Sequence, residues 1–336
     1  MEEIVTAEEA ARYLRVHPKT LQRWCREGKI PALRVGNRYR LRLSDLRPAD
    51  ASAADAPPPT DRSDPVPAPV GGRRPRIIAV ANQKGGVGKT TTAQALGAAL
   101  ADRGDRVLLV DLDPQASLTA SLGLRPDELE QTIATLIARF LEGDEPMDPA
   151  AVIVPLDDRL ALVPSNIHLS AAEVTLPNQV RREYVLGEIL APVVDAYDWI
   201  FIDCPPSLSL LTINALTCAD SCLVPVVPEP LVTVGVGLLF QTVARVRRTR
   251  LNPGLRVAGV VLTKVDARPT LTRGVIDDLR ATLGGRVPIL GEVRGSIRVQ
   301  EASASGIPLT RYRPAADVAR AYREIAEALD AACRSG

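Results

Sequence analysis

Hydrophobic positions fall into three textures along this chain. From residue 77 onward, short unbroken apolar runs occupy 77–81, 107–111, 160–163, 199–203, 222–227 and 257–263. Between them, apolar residues recur at helical spacing over 91–102, 183–195, 235–250, 272–283 and 315–332. Uninterrupted runs of strand length suit parallel strands buried on both faces. Their alternation with helices predicts an α/β fold, a doubly wound mostly parallel sheet whose ligands bind at the carboxyl ends of the strands. Residues 48–75 have neither texture. They are Ala, Pro, Asp and Ser, with Pro57-Pro58-Pro59 and Pro65-Val66-Pro67, and have almost nothing to bury, which predicts a disordered, semi-extended tether.

A third pattern precedes the tether. Thr6-Ala7-Glu8-Glu9 is a capping box opening a helix to about Leu14. Pro18 suits the first turn of a second helix running through Leu21 and Trp24, and Gly28 its C′ position. A hairpin is expected from Leu33 to Leu41, turning at Gly36-Asn37. The expected organisation is therefore 1–47, a small helix-and-hairpin module; 48–75, a linker; and 76–336, the α/β domain.

Charge sharpens this division. The whole chain carries +1, yet residues 1–47 hold 11 Lys and Arg against 6 Asp and Glu, residues 48–76 are balanced at 4 Arg against 4 Asp, and the remainder is net −4. A basic head on a mildly acidic body points to nucleic acid as the partner of the head. The five cysteines have neither metal-ligand nor disulfide spacing, and the only histidines are His17 and His168, so zinc or histidine-based catalysis is not expected. The opening Met1-Glu2-Glu3 lacks a secretory pattern and no stretch has transmembrane length. A cytoplasmic protein without membrane contact is expected.

The strongest chemical signal is Lys84-Gly85-Gly86-Val87-Gly88-Lys89-Thr90-Thr91, set between an apolar run and a helical one. Glycines let backbone N–H groups turn inward around phosphate oxygens, and the following helix directs its positive end at the same anion. Lys89 is placed to hold the β- and γ-phosphates and the Thr90 hydroxyl to bind Mg²⁺. A standard phosphate loop has glycine six residues before that lysine; here the position is Gln83, and a second lysine, Lys84, stands beside it. Two further apolar runs end in acid, Val110-Asp111-Leu112-Asp113-Pro114-Gln115 and Ile202-Asp203-Cys204-Pro205-Pro206. Carboxylates at strand ends lie on the edge where Mg²⁺ and the attacking water must sit.

The K-G-G-x-G-K-T run resembles the deviant Walker A P-loop NTPases, the class of ParA-type partition proteins, MinD-type positioning proteins and nitrogenase iron protein. D-x-D-P-Q and I-D-C-P-P resemble the second and third signatures of the ParA group. Leu211-Thr212-Ile213-Asn214-Ala215-Leu216 extends the likeness over essentially all of 76–332. The resemblance implies an ATP-dependent homodimer in which Lys84 reaches the partner's nucleotide. It also implies that Asp113 orients the hydrolytic water, Asp111 supports the Mg²⁺ shell and Asp203 is the Walker B acid. ATP and Mg²⁺ are the implied cofactors. Turnover is expected to be slow alone and faster with DNA and a ParB-like centromere-binding partner.

Residues from Thr6 to Leu46 resemble the MerR-like winged helix-turn-helix of excisionases, down to the G-x-[IL]-P-A and R-V-G-x-R-x-R phrases. Lys19, Gln22, Arg23 and Arg26 on the second helix, and Arg34, Arg38 and Arg40 along the hairpin, are the candidate DNA contacts. The resemblance to ParA proteins adds Arg268 and Arg298 as contacts to nucleoid DNA without sequence preference. A second basic cluster spans 245–250. The leading expectation is a DNA-segregation ATPase for plasmid or chromosome; the alternative is an ATP-controlled DNA-binding regulator or autorepressor. MinD-like membrane positioning is disfavoured because Tyr322, Ile325 and Leu329 form a packing stripe with no basic amphipathic tail after it. Nitrogenase-like electron transfer is disfavoured by the absence of paired cysteines.

Overall fold

In the computed structural model, β4 (Arg76–Val80), β8 (Trp199–Asp203) and β5 (Val107–Asp111) form the centre of one sheet, paired in parallel. The structure describes strand residues 4–6, 33–35 and 38–42, the helical positions 10 and 25, and then 75–143, 147–230, 232–265 and 269–334. Outward from β4 lie β9 (Ser221–Val226), β10 (Arg256–Val265) and β11 (Ile289–Arg294); outward from β5 lie β7 (Leu160–Val163) and β6 (Val154–Pro155). The order is β11-β10-β9-β4-β8-β5-β7-β6, parallel except for the antiparallel β6–β7 pair.

Every residue of β5, β8 and β9 is buried, which is why these strands read as continuous apolar runs. Alternate residues feed two separate cores. Ile78, Val80, Leu109 and Phe201 pack under α1 (Lys89–Asp102) and the C-terminal helix Ala316–Arg334, while Ala79, Leu108, Val110 and Ile202 pack on the opposite face. The predicted Tyr322, Ile325 and Leu329 stripe is buried in the first core.

Five helices were expected in this domain, and one is much shorter than its pattern. Over 183–195 only Val185–Leu190 is α-helical, because Pro192 cannot continue the hydrogen-bond ladder. Other elements were not anticipated, although Ile133–Glu142 has a clear helical apolar stripe. The helix Leu210–Cys218 is apolar almost all round, Ile133–Glu142 follows a Thr132 capping box, and β11 is a half-exposed edge strand.

Chain contacts divide the molecule into Met1–Pro67 and Ala68–Gly336. In the first unit, β1 (Ile4–Thr6), β2 (Leu33–Val35) and β3 (Arg38–Arg42) make an antiparallel sheet ordered β1-β3-β2. Val35 pairs with Arg38, and the expected turn at Gly36-Asn37 lies outside the described residues. The strand β1, pairing Val5 with Leu41, was not anticipated. Ala10 and Cys25 are helical, and the rest of the two expected helices lies outside the described residues.

Candidate nucleotide site

β4 ends at Val80, and the chain loops back into α1 through residues 81–88. Gly86 and Gly88 adopt φ of +72° and +84°, which an L side chain resists, so the glycine spacing is a backbone requirement. Two threads anchor the loop to the sheet. Asn82 donates to the Pro225 carbonyl (2.7 Å) and accepts from the Lys84 N–H (3.0 Å); Thr263 on β10 donates to the Val87 carbonyl (2.7 Å). The first turn of α1 has no side-chain cap, which leaves its amide donors for an anion.

A cavity of about 970 Å³ opens over this loop. Gly85, Gly86, Gly88, Lys89, Thr90, Thr91 and Asp113 form its phosphate end; Lys264, Arg294, Ser296 and Gln300 extend it away from the loop. Lys89 is buried and its amine reaches the Lys84 carbonyl at 3.4 Å. Desolvation pulls the Lys89 amine below its ordinary pKa, against the raising effect of nearby Asp203, Cys204 and Asp113.

The two strand-end acids are in register, Asp111 on β5 opposite Asp203 on β8. They are satisfied very differently. Asp111 accepts from the Thr119 N–H (2.8 Å), the Thr119 hydroxyl (2.7 Å) and the Asp113 N–H (3.2 Å). Burial still pushes its carboxyl up to about 6. It therefore anchors the segment carrying Asp113, whose own carboxylate accepts from the Gln115 N–H (2.9 Å). Both Asp203 oxygens are buried without a hydrogen-bond partner. The Thr90 hydroxyl is near enough to lower its pKa but not to satisfy it, and desolvation together with Asp111 raises that pKa well above the carboxylate range. A buried carboxylate left unpaired beside a lysine, a threonine hydroxyl and capless helix amides fits a nucleotide with its divalent cation.

Lys84 is exposed and forms an ion pair with Glu229, just past β9. That partner was not anticipated, although Glu229 obeys the same strand-end rule as the aspartates. Also unanticipated were Thr119, which holds Asp111, and Ser165, whose hydroxyl donates to the Asp113 carbonyl at 2.9 Å. The two ends of β11 fall on opposite sides of the sheet. Lys264 and Arg294 do line this cavity, but Pro288, at the other end of β11, lies at the opposite edge of the sheet.

Arg298 opens the short helix Arg298–Ala304, exposed and paired with Glu301 at 2.7 Å. Arg34 lies on β2 opposite Tyr39, and Arg38 and Arg40 lie on β3. Lys19, Gln22, Arg23, Arg26 and Arg268 lie outside the described residues. Arg245, Arg247 and Arg248 are exposed at the end of the helix Val232–Arg248, followed by exposed Arg250.

Fold, loop and strand-end acids together define a P-loop nucleotide-binding protein. A family model described as an AAA domain matches residues 75–257, more than half the chain, and one described as a helix-turn-helix domain matches residues 4–47. The sporulation initiation inhibitor protein Soj of Bacillus subtilis is 39% identical over 252 residues, covering 75% of this chain and 97% of its own. The chromosome partitioning protein ParA of Caulobacter vibrioides is 40% identical over 253 residues, covering 75% and 92%. A crystal structure named cobyrinic acid a,c-diamide synthase from Mycobacterium smegmatis, with ADP and magnesium bound, superposes with a TM-score of 0.63 at 39% identity, covering 78% of this chain and 96% of that one. The chain belongs to the ParA-type ATPases and carries an N-terminal helix-turn-helix domain.

Proposed function

We propose that this protein is a DNA-partition ATPase that dimerises on ATP, binds DNA as a dimer and hydrolyses ATP slowly until a ParB-like partner stimulates it. The unpaired Asp203 carboxylate facing the phosphate loop carries the reading of the site; the names of the Soj and ParA relatives support the biological role. Thr90 and Asp203 would hold Mg²⁺, which supplies charge neutralisation at the β- and γ-phosphates. Lys89 and the first-turn amides of α1 bind the phosphates, and Asp113, tied down through Gln115 and Ser165, orients water. Lys84 leaves Glu229 and enters the partner's site when two copies close. This makes hydrolysis dependent on assembly.

The N-terminal module, residues 1–47 on the tether 48–75, would add site-specific DNA contact through Lys19, Gln22, Arg23, Arg26, Arg34, Arg38 and Arg40. Arg268 and Arg298 would supply contacts without sequence preference. Two weak modules on one dimer gain affinity through effective concentration. No helix among the described residues is long and apolar enough to cross a membrane; the Soj and ParA relatives support a cytoplasmic, nucleoid-associated protein.

The amide-synthase name of one structural neighbour suggests a second chemistry. Releasing ammonia from an amide donor needs an activated nucleophile such as a thiolate. Here burial pushes the Cys204 thiol well above its ordinary value and those of Cys218 and Cys222 up to about 12. None of those three thiols is poised as a thiolate, and the partition reading is preferred. DNA binding by the full chain with ATP, ADP and a slowly hydrolysed analogue tests it. Binding should be strongest with ATP or the analogue; equal binding in all nucleotide states would overturn it.

A further inference from the structure

The chain leaving β7 comes out beside the strand-end acids. Val163, the last residue of β7, pairs with Val110, so Pro164, Ser165 and Asn166 emerge at the edge that carries Asp111. Ser165 is completely buried, and both of its donors are spent on the segment 111–119. Its N–H donates to the Thr119 hydroxyl and its own hydroxyl to the Asp113 carbonyl, each at 2.9 Å. Thr119 is buried as fully. Its oxygen accepts from Ser165, and its hydrogen is turned toward Asp111 at 2.7 Å. Asp111 in turn accepts the Asp113 N–H at 3.2 Å. The four residues close a ring of hydrogen bonds.

This ring grips Asp113 by both of its main-chain groups, the N–H through Asp111 and the carbonyl through Ser165. The backbone so held is strained. Ala116, three residues on, has φ of +52°, a conformation that an L residue keeps only where its surroundings impose it. The Ala116 N–H shares the Asp113 carbonyl with Ser165, at 2.9 Å. The loop is also fixed from behind. The Pro164 carbonyl accepts from the Ile133 N–H at 2.9 Å, and Asn166 accepts from the Thr132 hydroxyl and donates to the Leu129 carbonyl. Ser165 therefore ties Asp113 to the start of the helix Ile133–Glu142. It does not line the nucleotide cavity, whereas Asp113 does.

We propose that Ser165 is a positioning residue for ATP hydrolysis, fixing the backbone at Asp113 and thereby the place where that carboxylate holds the attacking water. This rests on the assignment of Asp113 to the water. Such a carboxylate acts through its geometry, so a small displacement slows the chemical step. Phosphate binding falls to Lys89 and the first-turn amides of α1, none of which Ser165 touches. Loss of the Ser165 hydroxyl should therefore lower kcat and spare nucleotide affinity. It also leaves no acceptor stranded, because the Asp113 carbonyl keeps the Ala116 N–H.

The test compares the full-length wild type with Ser165→Ala, Asp113→Ala and the double variant, by release of radiolabelled phosphate from ATP with Mg²⁺ and by titration with a fluorescent ADP. Ser165→Ala should lower kcat about threefold to tenfold, as for one buried hydrogen bond, with KM and ADP affinity unchanged. Asp113→Ala should lose about a hundredfold or more. Adding Ser165→Ala to it should cost nothing further, because residues acting as a unit are not additive. Ser170→Ala is the control: that side chain is exposed in the same loop and bonds only the Ile167 carbonyl, so its kcat should match the wild type. The proposal is overturned by an unchanged kcat in Ser165→Ala, by an equal loss of ADP affinity, which would make the role merely structural, or by a full further loss in the double variant. An Asp113→Ala protein as active as the wild type would overturn the assignment of Asp113 itself, and the proposal with it.

Discussion

Replacing Asp203 by Asn should make the empty protein more stable and the loaded protein less responsive. The side chain is 1% exposed, and neither oxygen finds a partner. Asp111 in register beside it repels its negative charge, and the nearby Lys89 only partly compensates. A buried unsatisfied polar group costs about 1–3 kcal/mol, and more when charged. Asn keeps the shape and removes the charge, so the ligand-free variant should gain about 1–3 kcal/mol. For a domain of this size, each kcal/mol moves Tm by roughly 2–4 °C. The ligand-free Tm should therefore rise by about 2–12 °C. Nucleotide with Mg²⁺ at a hundred times its Kd adds about 2.7 kcal/mol to the wild type; the Mg²⁺-dependent part of that gain should vanish in Asp203→Asn. Thermal unfolding with no ligand, with a non-hydrolysable ATP analogue and chelator, and with the analogue and Mg²⁺ separates the two effects. A lower ligand-free Tm together with an unchanged Mg²⁺ response would refute the reasoning.

Two further outcomes follow from the same site. Glu229→Gln frees Lys84 from its partner; both side chains are about half exposed, so each pair contributes at most about 1 kcal/mol. Two pairs break per dimer, so the ATP-bound dimer should tighten by at most roughly thirtyfold, measurable by sedimentation; a weakened dimer would contradict the assignment. The second concerns pH. Asp111 is raised from the ordinary 3.8 to about 6 in the folded state, so the native state binds the extra proton. Its contribution is fully present below about pH 4 and is lost as pH rises to about 6, a change of up to roughly 3 kcal/mol. The stability difference between wild type and Asp111→Asn should show that slope in ligand-free protein, and a difference independent of pH would refute it.

The parts of this molecule legible in the sequence are those whose physics is local or deeply buried. Gly86 and Gly88 announce left-handed backbone at their own positions, and β5 and β8, buried on both faces, cannot be read as anything but core. The strand-end acids were found because Asp111, Asp113 and Asp203 each follow an apolar run directly. What escaped depends on distance or on mixed exposure. Glu229 meets Lys84 across 145 residues, and nothing near either one announces the other. Thr119 holds Asp111 through a pair of bonds that only the folded loop creates. The edge strand β11 mixes half-buried Ile289, Leu290 and Gly291 with exposed Glu292 and Arg294, so neither a strand period nor a buried run survives.

The account rests on Lys84 completing a second copy's site, and light scattering on the full chain tests this directly. With saturating Mg²⁺ and a non-hydrolysable ATP analogue, the wild type should have the mass of a dimer and Lys84→Ala that of a monomer, with both remaining monomeric in ADP. A wild type that stays monomeric with the analogue, or a Lys84→Ala variant that dimerises as well as the wild type, would contradict it.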